Sequence, residues 1–255
     1  MKLIFKPFEP VSKNIRLVIT LHWLVLVLLV WFLSSMGERH LFPSPQQVFT
    51  GFVELYNEGL IVHVFSSLML CFKAIGIAIF ISLTLTYLST IPFIRPIANV
   101  LSKLRYLPLT GITFYLAILI SDARTMQVWV LVVFMSTYLT TSLLSMVQSI
   151  GQEEFDHARS LQCGRWEVLW EVVVKGRLDN VIEVIRQNLA IVWMMLVTVE
   201  SILVAAGGLG FLIKNSDKFM NHGRIIALQI VILGLGLTID FVLSYLRKAF
   251  FRYSK

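Results

Sequence analysis

The first candidates for chemistry are two of the ionisable side chains that lie inside long apolar stretches of this chain. Glu200 precedes the glycine-rich segment Gly207–Gly210, and Lys73 lies near the middle of an earlier apolar stretch. A charged group at membrane depth costs on the order of 3 kcal/mol, so each side chain must reach protein or water. We expect Glu200 to point inward, where it either fixes the glycine turn through hydrogen bonds or contacts a solute. Lys73 either snorkels to the surface or pairs with Glu200.

The residue pattern gives no support for catalysis or a structural metal. The five histidines have no metal-ligand spacing, and no cysteine or carboxylate pair completes a site. No nucleophile with an ordered base is recognisable. We therefore predict no catalytic residue, no metal and no cofactor in this chain. Cys71 and Cys163 fall in different settings, so we expect no disulfide between them.

The longest polar stretch, residues 149–184, is charged and amphipathic. Ser149 and Gln152 have the spacing of a capping box, and acidic residues at 153, 154 and 156 follow where a helix dipole favours negative charge. Gly164 interrupts the pattern, and an apolar stripe then resumes at helical spacing. The pattern predicts two short helices that meet near Gly164. On the pattern alone, an interfacial helix lying under lipid headgroups is one interpretation.

Composition defines the elements that must position these residues. Of 255 residues, 57% are hydrophobic and only 15% are charged, and the mean hydropathy is +0.79. This composition is too apolar for a soluble globular protein. We therefore expect an all-α polytopic membrane protein with one transmembrane domain over residues 1–255. About six helices are expected, with five as the alternative, and the loop 149–184 lies between spans four and five. The predicted spans are Leu17–Ser34, Ile61–Leu88, Leu107–Ser121, Met126–Val147, Ile185–Ala206 and Ile225–Leu246.

Lysine and arginine in the short loops predict the orientation. Basic clusters in the head, after the second span and in the tail fall on one side, whereas the first loop on the other side has a single arginine. We predict that both termini, the N-terminal segment 1–16 and the loop 149–184 are cytoplasmic. The net charge of +7 is confined to these clusters, so no nucleic-acid partner is expected. The first apolar stretch is too long for a removable signal peptide, and we expect it to remain as a helix.

Three segments, in order, resemble a known family. From residue 156 the chain reads DHARSLQCG, which resembles the E-A-A-R-x-L-G loop of binding-protein-dependent ABC transporter permeases. Residues 41–48, LFPSPQQV, are similar to the L-P-S-P-x-x-V segment of the nitrate, sulfonate and taurine group. Residues 200–213, ESILVAAGGLGFLI, are similar to that group's A-E-x-x-x-x-x-x-G-L-G-x-L-I. The loop matches are Asp156, Ala158, Arg159 and Leu161.

The chain also departs from the family pattern. The glycine of the loop pattern is replaced by Gln162, and the usual prolines are replaced by Lys175 and Leu178. Gly164 and Gly176 are available to supply the bend instead. These departures are compatible with one half of a heterodimer, although we expect a homodimer.

The resemblance implies the permease subunit of an ATP-driven importer in a bacterial-type inner membrane. Its expected partners are a cytosolic ABC ATPase dimer that binds the ATP, a second permease copy, an external substrate-binding protein and the lipid bilayer. The implied solute is a small organic anion such as a sulfonate, or nitrate. A secondary transporter and a membrane coupling or scaffold subunit are the alternatives. The implied ATPase-coupling residues are Asp156, Ala158, Arg159, Leu161, Gln162 and Gly164, and the candidates for a pathway or gate are Glu200, Lys73, Gly208 and Gly210.

Overall fold

The computed structural model describes residues 12–35 and 42–250, without the side chain of Phe250. These residues form helices joined by short turns, and no strand occurs among them, which confirms the all-α prediction. The α-helices are α1 Lys13–Ser35, α2 Pro45–Asn57, α3 Leu60–Leu88, α4 Arg95–Lys103, α5 Leu109–Leu119, α6 Ala123–Gln148, α7 Gln152–Ser160, α8 Arg165–Val168, α9 Leu178–Ile202, α10 Leu209–Lys218 and α11 His222–Phe250.

Five helices in the described part of the chain are long and apolar enough to cross a membrane. They are α1, α3, α6, the continuous helical stretch Arg165–Ile202 that contains α9, and α11. The third predicted span corresponds to α5, which has only 11 residues and a length of about 16 Å, roughly half of the hydrocarbon core. Extended residues at Pro108 and Ile120 limit it. The chain is therefore a polytopic membrane protein, and its described residues contain five long apolar helices and a shorter apolar sixth.

The helix of the fifth predicted span begins earlier than its hydropathy indicates. The expected start was Ile185, whereas α9 begins at Leu178 and ends at Ile202, before the expected end at Ala206. The first turns of α9 contain Asp179, Glu183 and Arg186, which lower the local hydropathy. Glu183 and Arg186 are paired with each other, and this pairing lets a polar sequence remain helical.

The centre of the fold is α6, whose buried residues lie on most of its circumference. It packs chiefly against α3, which presents small buried residues at four-residue spacing. Ala74, Ala78 and Ser82 are fully buried in this seam. Since small side chains let membrane helices approach closely, this spacing accounts for the α3–α6 contact. In contrast, the apolar residues of α1 are largely exposed, and Trp31 Nε1 donates to the Pro43 carbonyl at 3.1 Å.

The long helices run between two ends of the molecule. We call the end that carries residues 203–210 the turn side, and the end that carries α7 and α8 the loop side. The start of α3 contacts the turn, and Arg247 near the end of α11 bonds Glu183 at the start of α9. The basic clusters at 95–105 and 247–248 thus share the loop side. The predicted head segment is described only from residue 12, and the tail residues 251–255 lie outside the described part.

The segment 41–48 that resembles the permease pattern forms a helix start. Leu41 lies outside the described residues, but Ser44 is the N-cap of α2 and Pro45 is its first residue. Ser44 Oγ accepts the Gln47 N–H at 3.3 Å, and Gln47 Oε1 accepts the Ser44 N–H at 2.9 Å. This reciprocal capping box explains the S-P-x-Q order in the sequence.

Candidate functional site

Three consecutive backbone N–H groups are bound at the turn between α9 and α10. Gly207 and Gly208 have φ values of +74° and +111°, and α10 begins directly after them. The acceptors are His63 Nδ1 for Gly208 at 3.2 Å, Ser67 Oγ for Leu209 at 2.9 Å and Glu200 Oε2 for Gly210 at 3.0 Å. Unpaired N–H groups at a helix start attract acceptors and negative charge, so a carboxylate stabilises this position.

The Glu200 side chain is completely buried between α3, α9 and α10. Ser67 Oγ lies 2.7 Å and 2.9 Å from its two oxygens and donates to the carboxylate while it accepts from the turn. Arg124 Nη1 lies 4.0 Å from the same carboxylate. Glu200 therefore points inward, as expected, and it bonds the glycine turn directly. Of the two interpretations of Glu200, this geometry agrees with the one in which the side chain fixes the glycine turn through hydrogen bonds.

The closeness of Glu200 explains two of the glycines. A Cβ on Gly208 would lie 2.2 Å from the Glu200 carboxyl carbon, and a Cβ on Gly210 would lie 2.1 Å from the Val197 carbonyl oxygen. Neither distance is sterically possible. Gly208 also has a positive φ that favours glycine. The G-L-G of the sequence is thus required by the approach of the turn to α9.

Arg124 and Gln127 extend this site onto α6, and neither residue was predicted from the sequence. Arg124 Nη2 donates to the Ser66 carbonyl and, at 2.8 Å, to Ser66 Oγ, while Nη1 donates to Gln127 Oε1 at 2.9 Å. Gln127 Nε2 then donates to the Leu203 carbonyl at 2.9 Å, just before the turn. The available signal was an arginine in the first turn of a long apolar helix, at the same membrane level as Glu200.

The pairing of Lys73 with Glu200 is wrong. Lys73 is exposed, and the cation nearest to Glu200 among the described residues is Arg124. Lys73 follows Ser67 by six residues, which places it about 240° around α3 from the side that binds Glu200. Helical periodicity therefore separates the two groups, and Lys73 has no part in this turn.

Two short helices meet at Gly164 in the predicted loop, as expected. The expected capping box at Ser149 is wrong, because Ser149 ends α6 and its hydroxyl donates to the Met146 carbonyl at 2.7 Å. The residue that precedes α7 is Gly151. At α8, Glu167 Oε2 accepts the Gly164 N–H at 2.7 Å. The acidic first turn of α7 is present as predicted.

Gln162 occupies a left-handed position at the end of α7, with a φ of +60°. Its N–H donates to the Arg159 carbonyl at 2.9 Å, and the Cys163 N–H donates to the Ala158 carbonyl at 3.3 Å. This bond pair is a Schellman motif, whose left-handed residue is usually glycine. The family pattern has glycine at this position, so the backbone bend is kept although the residue differs.

The other loop residues divide into buried and exposed groups. Ala158 is buried within this chain, whereas Asp156 is exposed and pairs with Arg159 at 3.2 Å. Three large apolar side chains are exposed beside them and form what we call the loop surface. Its members are Leu161, Trp166 and Trp170, with exposed fractions of 66%, 69% and 55%.

The loop is connected to α9 through a continuous helical segment. After α8 the chain forms a π-helix at Leu169–Val174 and one 3₁₀ turn at Lys175–Arg177 before α9 begins. Arg177 pairs with Glu154 of α7, and Val173 is buried. The Arg177–Glu154 pair thus connects α7 to the residue that directly precedes α9.

A second ionic network joins the bases of α9 and α11. Arg186 donates from two nitrogens to Glu183, at 2.7 Å and 3.0 Å, and from Nη1 to Asp240 at 2.6 Å. Arg247 Nη1 donates to Glu183 Oε2 at 2.6 Å. Arg186 is thus the basic side chain that pairs with Asp240, within the last predicted span. The network fixes the two helices to each other on the loop side.

The fold is similar to that of one chain in a solved ABC transporter structure. A solved crystal structure described as an amino acid ABC transporter with histidines contains a chain that superposes with a TM-score of 0.59. The alignment covers 79% of this chain and 97% of that chain at 18% identity, which establishes similarity of fold.

The sequence is similar to a permease of such a system. The taurine transport system permease protein TauC of Escherichia coli (strain K12) is 29% identical over 124 residues. The match covers 49% of this chain and 42% of TauC, so the chain spans less than half the length of that relative. No protein-family model matches the chain. The similarity in sequence to TauC and in fold to the solved transporter chain confirms the resemblance to binding-protein-dependent ABC transporter permeases.

Proposed function

We propose that this chain is the permease subunit of an ATP-driven importer for a small solute in a bacterial-type inner membrane. One arrangement carries the proposal: α9 connects the loop surface at one end to the Glu200-bound turn at the other. A subunit that takes force from a cytosolic motor needs an exposed docking segment and a rigid path to a gate. The loop surface then faces the cytosolic motor, so the loop side and both termini are cytoplasmic.

The proposed coupling uses the pairs described above. An ATPase dimer that closes on ATP moves α7, and the Arg177–Glu154 pair passes the movement to α9. The docked state then favours one arrangement of the turn over another, which is how a motor shifts a two-state equilibrium. ATP is bound by the ATPase, since the sequence of this chain contains no G-x-x-x-x-G-K-[ST] motif.

The proposed partners are a second permease copy and an external substrate-binding protein. One chain supplies half of a two-fold pathway, and we propose a homodimer. A small organic anion such as a sulfonate is the proposed solute, supported by the similarity to a taurine permease. Mass measurement of the detergent complex formed with the ATPase alone tests the assembly. Two permeases with two ATPases support it, and an active one-to-one particle contradicts it.

Docking through the loop surface is tested by Leu161→Asp. Because Leu161 is 66% exposed, the new carboxylate stays in water in the free chain and is buried only when a partner covers it. We expect loss of ATPase copurification and of uptake with an unchanged thermal midpoint. Met220→Asp is the matched control, since Met220 is 74% exposed on the turn side. Normal copurification of the Leu161→Asp variant would contradict docking at this surface.

A further inference from the structure

The imidazole of His63 closes the glycine turn from the side of α3. Its Nδ1 accepts the Gly208 N–H at 3.2 Å, and its ring stacks on Phe211 with 5.8 Å between centroids and 28° between planes. The ring also lies against Gly207, where a Cβ would be 3.5 Å from Cε1. Because a backbone N–H points at Nδ1, this nitrogen carries no proton in the bound arrangement.

Protonation of His63 removes the acceptor of this bond. An imidazolium donates from both nitrogens, so its Nδ1–H would oppose the Gly208 N–H. The bond to Gly208 would break, while the bonds from Leu209 and Gly210 to Ser67 and Glu200 would remain. Histidine is the side chain that changes charge between about pH 5 and 8 in its ordinary range.

Other charged groups lie on the elements packed against α3. Toward the turn side they are Glu200 on α9, Arg124 on α6 with Asp122 directly before that helix, Glu54 on α2 with Glu58 directly after that helix, and Lys214, Asp217 and Lys218 on α10, with Lys73 exposed on α3 itself. Glu58 pairs with Arg224 at 2.8 Å, and Lys214 pairs with Asp217 at 3.3 Å. Glu200 accepts hydrogen bonds from Ser67 and Gly210 and lies 4.0 Å from Arg124. The charged residues of α4, of the π-helix and of the first turns of α9 lie toward the loop side, away from His63.

We propose that His63 is a positioning residue that makes the Gly207–Gly210 turn sensitive to pH on the turn side. Neutral His63 holds Gly208, and protonated His63 releases it and slows transport. This inference rests on the proposed importer function, in which the turn side is external and therefore exposed to acidification. Glu200 is the competing titratable group at the same turn, so the test must separate the two.

The test uses the permease assembled with its ATPase and binding protein in vesicles of clamped internal pH. We expect uptake by the wild type to fall reversibly by about tenfold as the external pH drops from about 8 to about 5. His63→Asn keeps an acceptor near the Nδ1 position without titrating, so it should retain uptake with a nearly flat profile. His222→Asn, an exposed histidine on the turn side, should keep the wild-type profile.

A second readout does not depend on transport. Amide exchange at Gly208, corrected for its intrinsic rate, should rise at low pH in the wild type and stay constant in His63→Asn. If the asparagine variant keeps the wild-type fall in uptake, another group such as Glu200 titrates and the inference is overturned. If neither the wild type nor any variant transports at any pH, the importer proposal fails. The exchange data alone then decide whether His63 controls the turn.

Discussion

The Glu200 carboxyl carbon lies 2.2 Å from the position that a Cβ on Gly208 would occupy. The carboxylate and the turn therefore pack as one unit. Because Gly208 has no side chain, the carboxylate of Glu200 fits against its backbone. Glu200 also precedes the turn along α9, so any rotation of the last turn of α9 carries the carboxylate with it. This relationship links the long helix to the glycine turn.

Gly208→Ala should lower the free energy of unfolding by about 2–4 kcal/mol. The new Cβ is strained by the positive φ at this position, and it clashes with the Glu200 carboxylate. Gly234→Ala is the control, since a Cβ there meets nothing within 4 Å. Because Gly234 is inside a helix, that change should be neutral or stabilising by up to about 1 kcal/mol. Chemical denaturation in detergent measures both. Equal effects of the two changes would contradict the proposed packing.

Glu200→Leu should abolish uptake without dissociating the complex. Leucine leaves the Gly210 N–H and the Ser67 hydroxyl without their acceptor, at about 1–3 kcal/mol for each unsatisfied group, and it removes the carboxylate beside Arg124. Glu200→Gln keeps an acceptor for one N–H and should retain much of the activity. Uptake and amide exchange at Gly210 report both variants. Wild-type uptake by the leucine variant would show that the carboxylate is not required for transport.

Gln162→Gly should stabilise the loop by about 0.5–1 kcal/mol, because glycine adopts the left-handed conformation without a Cβ penalty. Gln152→Gly is the control, as this glutamine is the first residue of α7 and has no left-handed requirement. It should be neutral or destabilising. Resistance of the loop to limited proteolysis measures the difference. A less resistant Gln162→Gly variant would argue against the Schellman motif.

The pair of Arg186 and Asp240 should be coupled in a double-mutant cycle. Arg186→Met and Asp240→Leu, alone and together, should give a coupling of about 0.5–1 kcal/mol, since Arg186 is one-quarter exposed and held in place by Glu183, whereas Asp240 is half exposed. Lys214 and Asp217 are the control pair, with exposed fractions of 59% and 58%. Solvent screening should keep their coupling below about 0.5 kcal/mol. Thermal or chemical unfolding supplies the four values of each cycle.

Hydropathy alone located the long helices, because about 20 apolar residues are needed to cross a bilayer whatever the rest of the fold. It did not show that the helix of the fifth span already begins at Leu178, since Asp179, Glu183 and Arg186 lower a window average of hydropathy. It also gave α5 the status of a full span. The extended backbone at Pro108 limits the length of α5, and hydropathy does not report backbone conformation.

The sequence also determined that Glu200 must face inward, because the cost of a charge in lipid holds for any arrangement of helices. It similarly marked Gly164 as the break between α7 and α8. The partners of Glu200 were decided only by the tertiary structure. Ser67 and Arg124 are 133 and 76 residues away along the chain, and their approach depends on how α3 and α6 pack against α9. Lys73, an equally plausible partner by composition, is turned away by helical periodicity. Residue types thus set which groups need partners, and helix packing selects which partners they find.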